Sequence, residues 1–361
     1  MEIKSLELQN FRNYPELKIE FDEKTNIIYG DNAQGKTNIL ESVYLCATSR
    51  SHKGAKDREM IRFGEEEAHI KMIICKNGLD HRIDMHIRKS KSKGIAIDGI
   101  PIRKASELFG LIHVIIFSPE DLSMVKNGPA ERRRFMDLEL CQLDRLYTSQ
   151  LSAYNKVLAD RNRILKDIWV KPEYEEILPL YDIKLVNYGK YIIEARKKFL
   201  MDLNDIVKDI HASLTGGKEE LVLSYEPNVS SERFDEELLR GAERDRHQKL
   251  TLTGPHRDDI CFLSNGIDLR KYGSQGQQRS AALSLKLAEI ELVKSQSKEY
   301  PVLLLDDVLS ELDSSRQENL LGRINHIQTM LTCTGLDEFV KNRFSINKIF
   351  HVMDNKAGGY Q

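Results

Sequence analysis

The chain lacks any apolar run long enough to cross a bilayer. Its longest, such as Leu111–Phe117, falls far short of the roughly 20 residues a membrane-spanning helix needs. The opening MEIKSLELQNF is charged and alternating, so no secretory signal is expected. The five cysteines, Cys46, Cys75, Cys141, Cys261 and Cys333, are odd in number and no two stand at zinc-ligand spacing, which points to free thiols in a reducing compartment. There is no excess of either charge: 54 Lys and Arg against 56 Asp and Glu leave −2, so a polyanion partner would have to meet a local patch. Internal repeats, low-complexity tracts, helix-turn-helix patterns and zinc fingers are also missing, and with them any signal for reading base sequence. What remains is a cytoplasmic, soluble, globular protein with 40% apolar residues and enough length for two to three domains.

The positive signals begin at the amino terminus. Ile3, Leu6 and Leu8, then Leu17, Ile19 and Phe21, largely alternate as in half-buried strands. Asn26–Tyr29 reads as a short buried strand, and NILESVYLCA as a helix. Residues 50–104 carry 14 Lys or Arg against 8 Asp or Glu, and HRIDMHIRKSKSKGIAIDGIPI reads as strand, basic turn, strand. In the middle, Tyr147, Leu151, Tyr154, Leu158 and Leu165, then Tyr181, Leu185, Tyr188, Ile192, Ala195 and Phe199, keep heptad-like spacing. They predict two short antiparallel helices joined by a connection containing Pro172 and Pro179. SSERFDEELLRGAERD reads as one amphipathic helix. Then ICFLSNGIDLRKYG predicts a hairpin turning at Asn265-Gly266, SQGQQRSAALSLKLAEIELVK a long helix, and Thr329–Cys333 and Lys348–Met353 two more strands. The expected architecture is an α/β lobe from both chain ends, 1–120 and 250–361, with a helical lobe, 121–249, inserted between them.

Three motifs carry chemistry. Gly30-Asp31-Asn32-Ala33-Gln34-Gly35-Lys36-Thr37 is a P-loop, G-x-x-x-x-G-K-T, set between strand and helix as the motif requires. Its glycines let backbone N–H groups face phosphate, Lys36 reaches the β- and γ-phosphates of ATP, and the Thr37 hydroxyl ligates Mg²⁺. Val302–Leu305 is an apolar strand delivering Asp306 and Asp307 to the carboxyl end of a sheet, where nucleotide sits. There Asp306 can hold Mg²⁺ through water, and Asp307 can orient or deprotonate the attacking water. Ser274-Gln275-Gly276-Gln277-Gln278 opens a helix, which makes it a good N-cap and a second anion site.

The order of these motifs resembles an ABC-type ATPase of the SMC group, and the RecF family within it. The residues that carry the resemblance are LQNFRNY at 8–14, YGDNAQGKTNILESVYL at 29–45, FSPEDLSMVKNGPAERRRFMD at 117–137, LTGPHRDD at 252–259, YGSQGQQRS at 272–280 and LLLDDVLSELD at 303–313. The resemblance implies that Arg12 and Asn13 lie against the nucleotide, that Asp307 takes the place of a catalytic Glu, and that Ser274 and Gly276 reach ATP held by a second copy. Asp313 would couple the two sites. It further implies an ATP-dependent homodimer on gapped or single-strand/double-strand junction DNA, and work alongside the recombination mediator proteins RecR and RecO in repair and replication restart.

Two departures stand out. Ser118-Pro119-Glu120 replaces the Gln expected after strand Val114–Phe117, and Thr334 stands where transporters carry a switch His. With Asp307 a shorter base than Glu, slow hydrolysis is expected: a weak, DNA-stimulated ATPase used as a switch. For DNA, two basic clusters compete. The turn holding Arg88, Lys89, Lys91 and Lys93 is either a solvated hairpin tip or a phosphate contact. Arg132, Arg133 and Arg134 are either a solvated helix face with acid partners in the same chain or a contact to DNA or γ-phosphate. The alternative functions are a transporter ATPase subunit, against which the SQGQQ sequence and missing switch His argue; a structural SMC-type clamp, against which the short helical arm argues; and a phosphotransferase, for which no acceptor pocket is announced.

Overall fold

The computed structural model describes residues 1–122, 124–171, 173–335, 347–353 and 356–360, without the side chains of 356, 359 and 360. The amino-terminal part builds β1 (Glu2–Phe11), β2 (Tyr14–Glu20), β3 (Thr25–Tyr29), α1 (Lys36–Thr48), β4 (Glu67–Lys76), β5 (Leu79–Arg88), β6 (Gly94–Ile97), β7 (Ile100–Pro101), β8 (Val114–Phe117) and α2 (Pro119–Leu122). The middle carries α3 (Pro129–Leu143), α4 (Arg145–Asp167), α5 (Tyr174–Thr215), β9 (Leu221–Glu226), α6 (Phe234–Arg240), α7 (Ala242–Gln248), β10 (Asp259–Ser264), β11 (Ile267–Asp268) and α8 (Leu269–Tyr272). The carboxyl part follows with α9 (Gln275–Ser297), β12 (Val302–Asp306), α10 (Ser314–Ile324), β13 (Thr329–Cys333), β14 (Lys348–Met353) and β15 (Lys356–Tyr360). These fall into two compact units, Met1–Leu122 with Leu285–Gln361, and Ser123–Ser284.

The first unit holds two six-stranded sheets, ordered β2-β1-β4-β5-β6-β7 and β15-β14-β3-β13-β12-β8. The first is antiparallel throughout, and its longer strands alternate buried with more exposed residues, as in β4. The second is parallel apart from β15, and β12 and β8 are buried at every position, as strands covered on both faces are. Both sheets contribute to one apolar core with α1, which is buried almost all round and so is a central helix. The strand order is what positions the site. β3 and β12 come from opposite ends of the chain and are separated by β13 alone, so parallel pairing brings their carboxyl ends to one edge.

The second unit contains α4 and α5; Ile164 and Leu165 of α4, Ile168 just past its end and Leu178 of α5 form a small core of their own near the connection. Pro179 lies inside α5, in its second turn, and not in the connection; Pro172 lies outside the described residues. The stretch 230–245, expected as one helix, falls in two, α6 and α7, which meet at Gly241. The insert is also not purely helical: β9 pairs with β10, and β10 with β11, in a three-stranded antiparallel sheet. That pairing explains where the units divide. β10 binds its hydrogen-bond partner at 221–226, so residues 250–284 join the insert, and the second boundary falls at 284/285 inside α9, 35 residues beyond the expected 249/250. Among the described residues no helix is long and apolar enough to cross a membrane.

Candidate nucleotide site

Two glycines of the P-loop are dictated by close backbone approach. Gly30 has φ +152°, and a Cβ there would stand 2.3 Å from the Val352 carbonyl oxygen of β14. Gly35 has φ +101°, and its Cβ would strike the Asn13 amide, also at 2.3 Å. Asn13 uses that closeness. Its Nδ2 donates to the Gln34 carbonyl at 3.0 Å, and its Oδ1 accepts from Asn38 at 2.8 Å. Asn13 therefore braces the loop from outside. Asp31, Asn32 and Ala33 form the exposed rim. Lys36 is only 4% exposed, and its Nζ donates to the carbonyls of Gly30 (2.7 Å) and Asp31 (2.9 Å), so the ammonium is held inside the loop. α1 starts here, with no acidic residue in its first turn to compete for its amino-terminal N–H groups.

The acidic strand meets the loop through one hydrogen bond. The Thr37 hydroxyl donates to Asp306 Oδ1 at 2.8 Å across 269 residues of sequence. The Thr332 hydroxyl reaches the same oxygen at 2.9 Å and accepts the Asp307 amide at 2.9 Å. Thr332 was not singled out from sequence, since only the placement of β13 beside β12 makes it a neighbour. Asp306 is 6% exposed. Burial pushes its carboxyl above the ordinary value, while the Thr37 and Thr332 hydroxyls pull it back. Asp307 is half-buried with a left-handed backbone (φ +52°), and Asp313 caps α10 by accepting the Arg316 amide at 3.0 Å. The residues fit a nucleotide with Mg²⁺: a glycine loop packed too closely against Val352 and Asn13 to admit a Cβ at Gly30 or Gly35, a lysine ammonium at its base, and two hard oxygen donors 2.8 Å apart.

Arg12 is tied to the helix that follows the loop. Its guanidinium forks onto Glu41 of α1 with two 2.8 Å hydrogen bonds and donates to the Glu59 carbonyl at 2.8 Å. Burial alone would raise Glu41, but Arg12 and Ser51 outweigh it and hold that carboxyl below the usual range. After β8, the Ser118 amide and hydroxyl both donate to Asp121, at 2.8 and 3.0 Å.

Ser274, Gln275, Gly276 and Gln277 lie in the second unit at the start of α9. Ser274 and Gln277 form a capping box: the Gln277 amide donates to Ser274 Oγ at 3.2 Å, and the Ser274 amide to Gln277 Oε1 at 3.0 Å. Ser274 and Gln275 are exposed.

The basic candidates divide sharply. Arg132 is 2% exposed; it forks onto Asp259 at 2.6 and 3.1 Å and donates to the Met124, Val125 and Asn127 carbonyls. A side chain so enclosed offers no surface to DNA here; it has the expected acid partner in the same chain, but on a buried helix face and not on the solvated one expected. Arg133 donates to the Asp258 carbonyl at 2.7 Å, and Arg134 is half-buried. In the 88–93 turn, Lys93 is also withdrawn, holding the Ser49 carbonyl at 2.7 Å and Asp57 at 2.9 Å. Lys89 pairs with Glu66 at 2.9 Å, Arg88 reaches the Ser92 carbonyl at 3.5 Å, and Lys91 is exposed.

Behind these arginines is a buried network invisible in the sequence. Arg196 of α5 donates to Asp258 (2.8 Å), Asp137 (2.8 Å), the Pro255 carbonyl (2.6 Å) and Tyr147 (3.1 Å). Its burial opposes charge, yet Tyr147, Asp137 and Asp258 more than offset that and keep the guanidinium charged. Two stretches on which the resemblance rests, 117–137 and 252–259, thus meet around one buried arginine.

Comparison with known proteins follows the same line. Residues 2–357 match the family model described as RecF/RecN/SMC N terminal domain. The "DNA replication and repair protein RecF" of Agathobacter rectalis is 59% identical over 357 residues, with 99% of each chain covered. A solved structure of the recombination mediator protein RecF-ATP in the RecFOR pathway superposes with a TM-score of 0.92 at 33% identity, covering 100% of this chain and 98% of that one. An Smc head domain from Pyrococcus furiosus shares the fold alone, with a TM-score of 0.57 at 15% identity over 99% of this chain and 96% of that one. With its P-loop and acidic strand in one parallel sheet, and a relative this similar along its whole length, the chain belongs to the RecF family of DNA replication and repair proteins.

Proposed function

We propose that this protein is an ATP-operated switch of recombinational repair and replication restart. It binds ATP with Mg²⁺, pairs with a second copy on gapped or junction DNA, and helps RecR- and RecO-type mediators load recombinase. The observation that carries the reading is the Thr37–Asp306 hydrogen bond at 2.8 Å, which brings the P-loop and the acidic strand together as a phosphate-and-metal site would need. Lys36, Thr37 and the loop amides would hold the phosphates, and Thr37 with Asp306 the Mg²⁺. When bound, the ion would neutralise phosphate charge. Asp307 would position the water, and with no Gln at residue 118 its turnover is slow. Exposed Ser274 and Gln275 at the start of α9 suit a contact to nucleotide held by another copy.

The test is the size of the protein in solution with and without ATP and Mg²⁺, in the presence and absence of gapped DNA. ATP should raise the dimer fraction, and gapped DNA should raise it further. Ser274→Arg should bind ATP normally and remain monomeric. Normal dimerisation of that variant would sink the two-copy site.

A further inference from the structure

The antiparallel sheet of the first unit carries a cluster that the proposed function does not use. His69 on β4 and His86 on β5 stand directly opposite each other in the register. Glu67 lies two residues before His69, on the same face, while Ala68 and Ile70 turn into the core. The Glu67 carboxylate reaches both imidazoles, one oxygen to each: Oε2 is 2.8 Å from Nε2 of His86, and Oε1 is 3.7 Å from Nε2 of His69. The rings stack with centroids 4.0 Å apart, and the ligand atoms of all three residues lie within 4.8 Å of one another. Both histidines line a concavity of about 800 Å³ on this face of the sheet.

We propose that Glu67, His69 and His86 bind one divalent transition-metal ion of the zinc, cobalt or nickel class. Two imidazole nitrogens and a carboxylate are the donors such ions select, whereas Mg²⁺ and Ca²⁺ favour oxygen. The backbone is already in place, because directly opposed strand positions hold their Cβ atoms about 5 Å apart. Bonds of about 2.0–2.2 Å require the donors to lie within roughly 4.2 Å of each other. The two rings therefore swing out of their stack into an angled pair on binding, and side chains 44% (His69) and 33% (His86) exposed have room to do so. Three protein donors leave a further position for water, the pattern of an open site. Arg88, opposite Glu67, and Lys71, two residues past His69, set positive charge nearby, and Glu7, 3.2 Å from the Lys71 ammonium, offsets part of it. Affinity therefore falls below that of closed four-ligand structural sites.

The experiment uses the full chain without nucleotide, titrated with Zn²⁺ by calorimetry and with Co²⁺ by visible absorption. The expected result is one equivalent of either ion, with Co²⁺ bands of an imidazole-containing site. The His69→Ala/His86→Ala double variant should lose that equivalent or bind it at least tenfold more weakly, and Glu67→Gln should weaken it with both rings intact. Zn²⁺ should raise the thermal midpoint of the parent and leave that of the double variant unmoved, which also reports that the variant folds. No bound equivalent in the parent, or an equivalent retained with unchanged affinity and spectrum in the double variant (held then by thiols or the Asp306 site), overturns the proposal.

Discussion

Replacing Arg132 with alanine separates the two readings of the RRR cluster. Arg132 is 2% exposed, forks onto Asp259, and donates to the carbonyls of Met124, Val125 and Asn127. Removing one partner of a buried ion pair costs about 3–5 kcal/mol. Asp259 is not wholly abandoned, since Arg270 at 2.9 Å and the Ile260 amide at 2.8 Å still serve it, which argues for the lower end. The carbonyls that lose their donor push the other way, by about 1 kcal/mol each where water does not replace it. The expected loss is about 3–6 kcal/mol, or roughly 10–20 °C in the unfolding of a unit of this size. Urea and thermal unfolding followed by circular dichroism measure it, alongside gapped-DNA binding at several salt concentrations. If stability stays within about 0.5 kcal/mol of the parent while DNA affinity falls and its salt slope drops by about one, Arg132 is a phosphate contact and the burial argument fails.

Three further outcomes follow from the same structure. Gly30→Ala puts a Cβ 2.3 Å from the Val352 oxygen at φ +152°, so both ATP binding and about 1–3 kcal/mol of stability should go; a normal melt with normal ATP titration would refute the close approach. Asp306→Asn keeps a hydrogen-bond acceptor for Thr37 and Thr332 but removes the charge, so Mg²⁺ should no longer strengthen the binding of a fluorescent ATP analogue; an undiminished Mg²⁺ effect excludes Asp306 from the metal site. Burial holds the His256 imidazole down to about 4 from 6.5. Above pH 6.5 it is neutral in folded and unfolded chains alike; between 6.5 and 4 only the unfolded chain takes up the proton, so folding weakens by at most about 3 kcal/mol as pH falls through that window. Urea unfolding from pH 7 to 4 should show that slope in the parent and a shallower one in His256→Gln; equal slopes exclude His256 as its source.

Much of the site was legible because its signals are local. A glycine loop between a strand and a helix is a statement about a few adjacent φ values and N–H directions, and an apolar run ending in Asp306-Asp307 announces a buried strand with acids at its tip. Alternation predicted β1 and β2, and Asn265-Gly266 predicted the β10–β11 turn, for the same reason. Asn13 as a brace, Thr332 as a partner of Asp306, and the Glu67–His69–His86 cluster were not legible. Each depends on which strands lie side by side, and that pairing is a tertiary choice. The same holds for the second boundary: residues 250–284 look like the returning α/β lobe, but β10 finds its hydrogen bonds on β9. Charge was the least predictable property. Arg132 and Lys93 read as basic surface, yet acid partners from distant sequence withdraw both, because a buried guanidinium or ammonium is stable only where carboxylates and carbonyls enclose it. The sequence by itself determined the P-loop, the acidic strand and the family they belong to. Only the tertiary structure decided which of the chain's charges face solvent, since burial and pairing belong to the packed chain and not to any one residue.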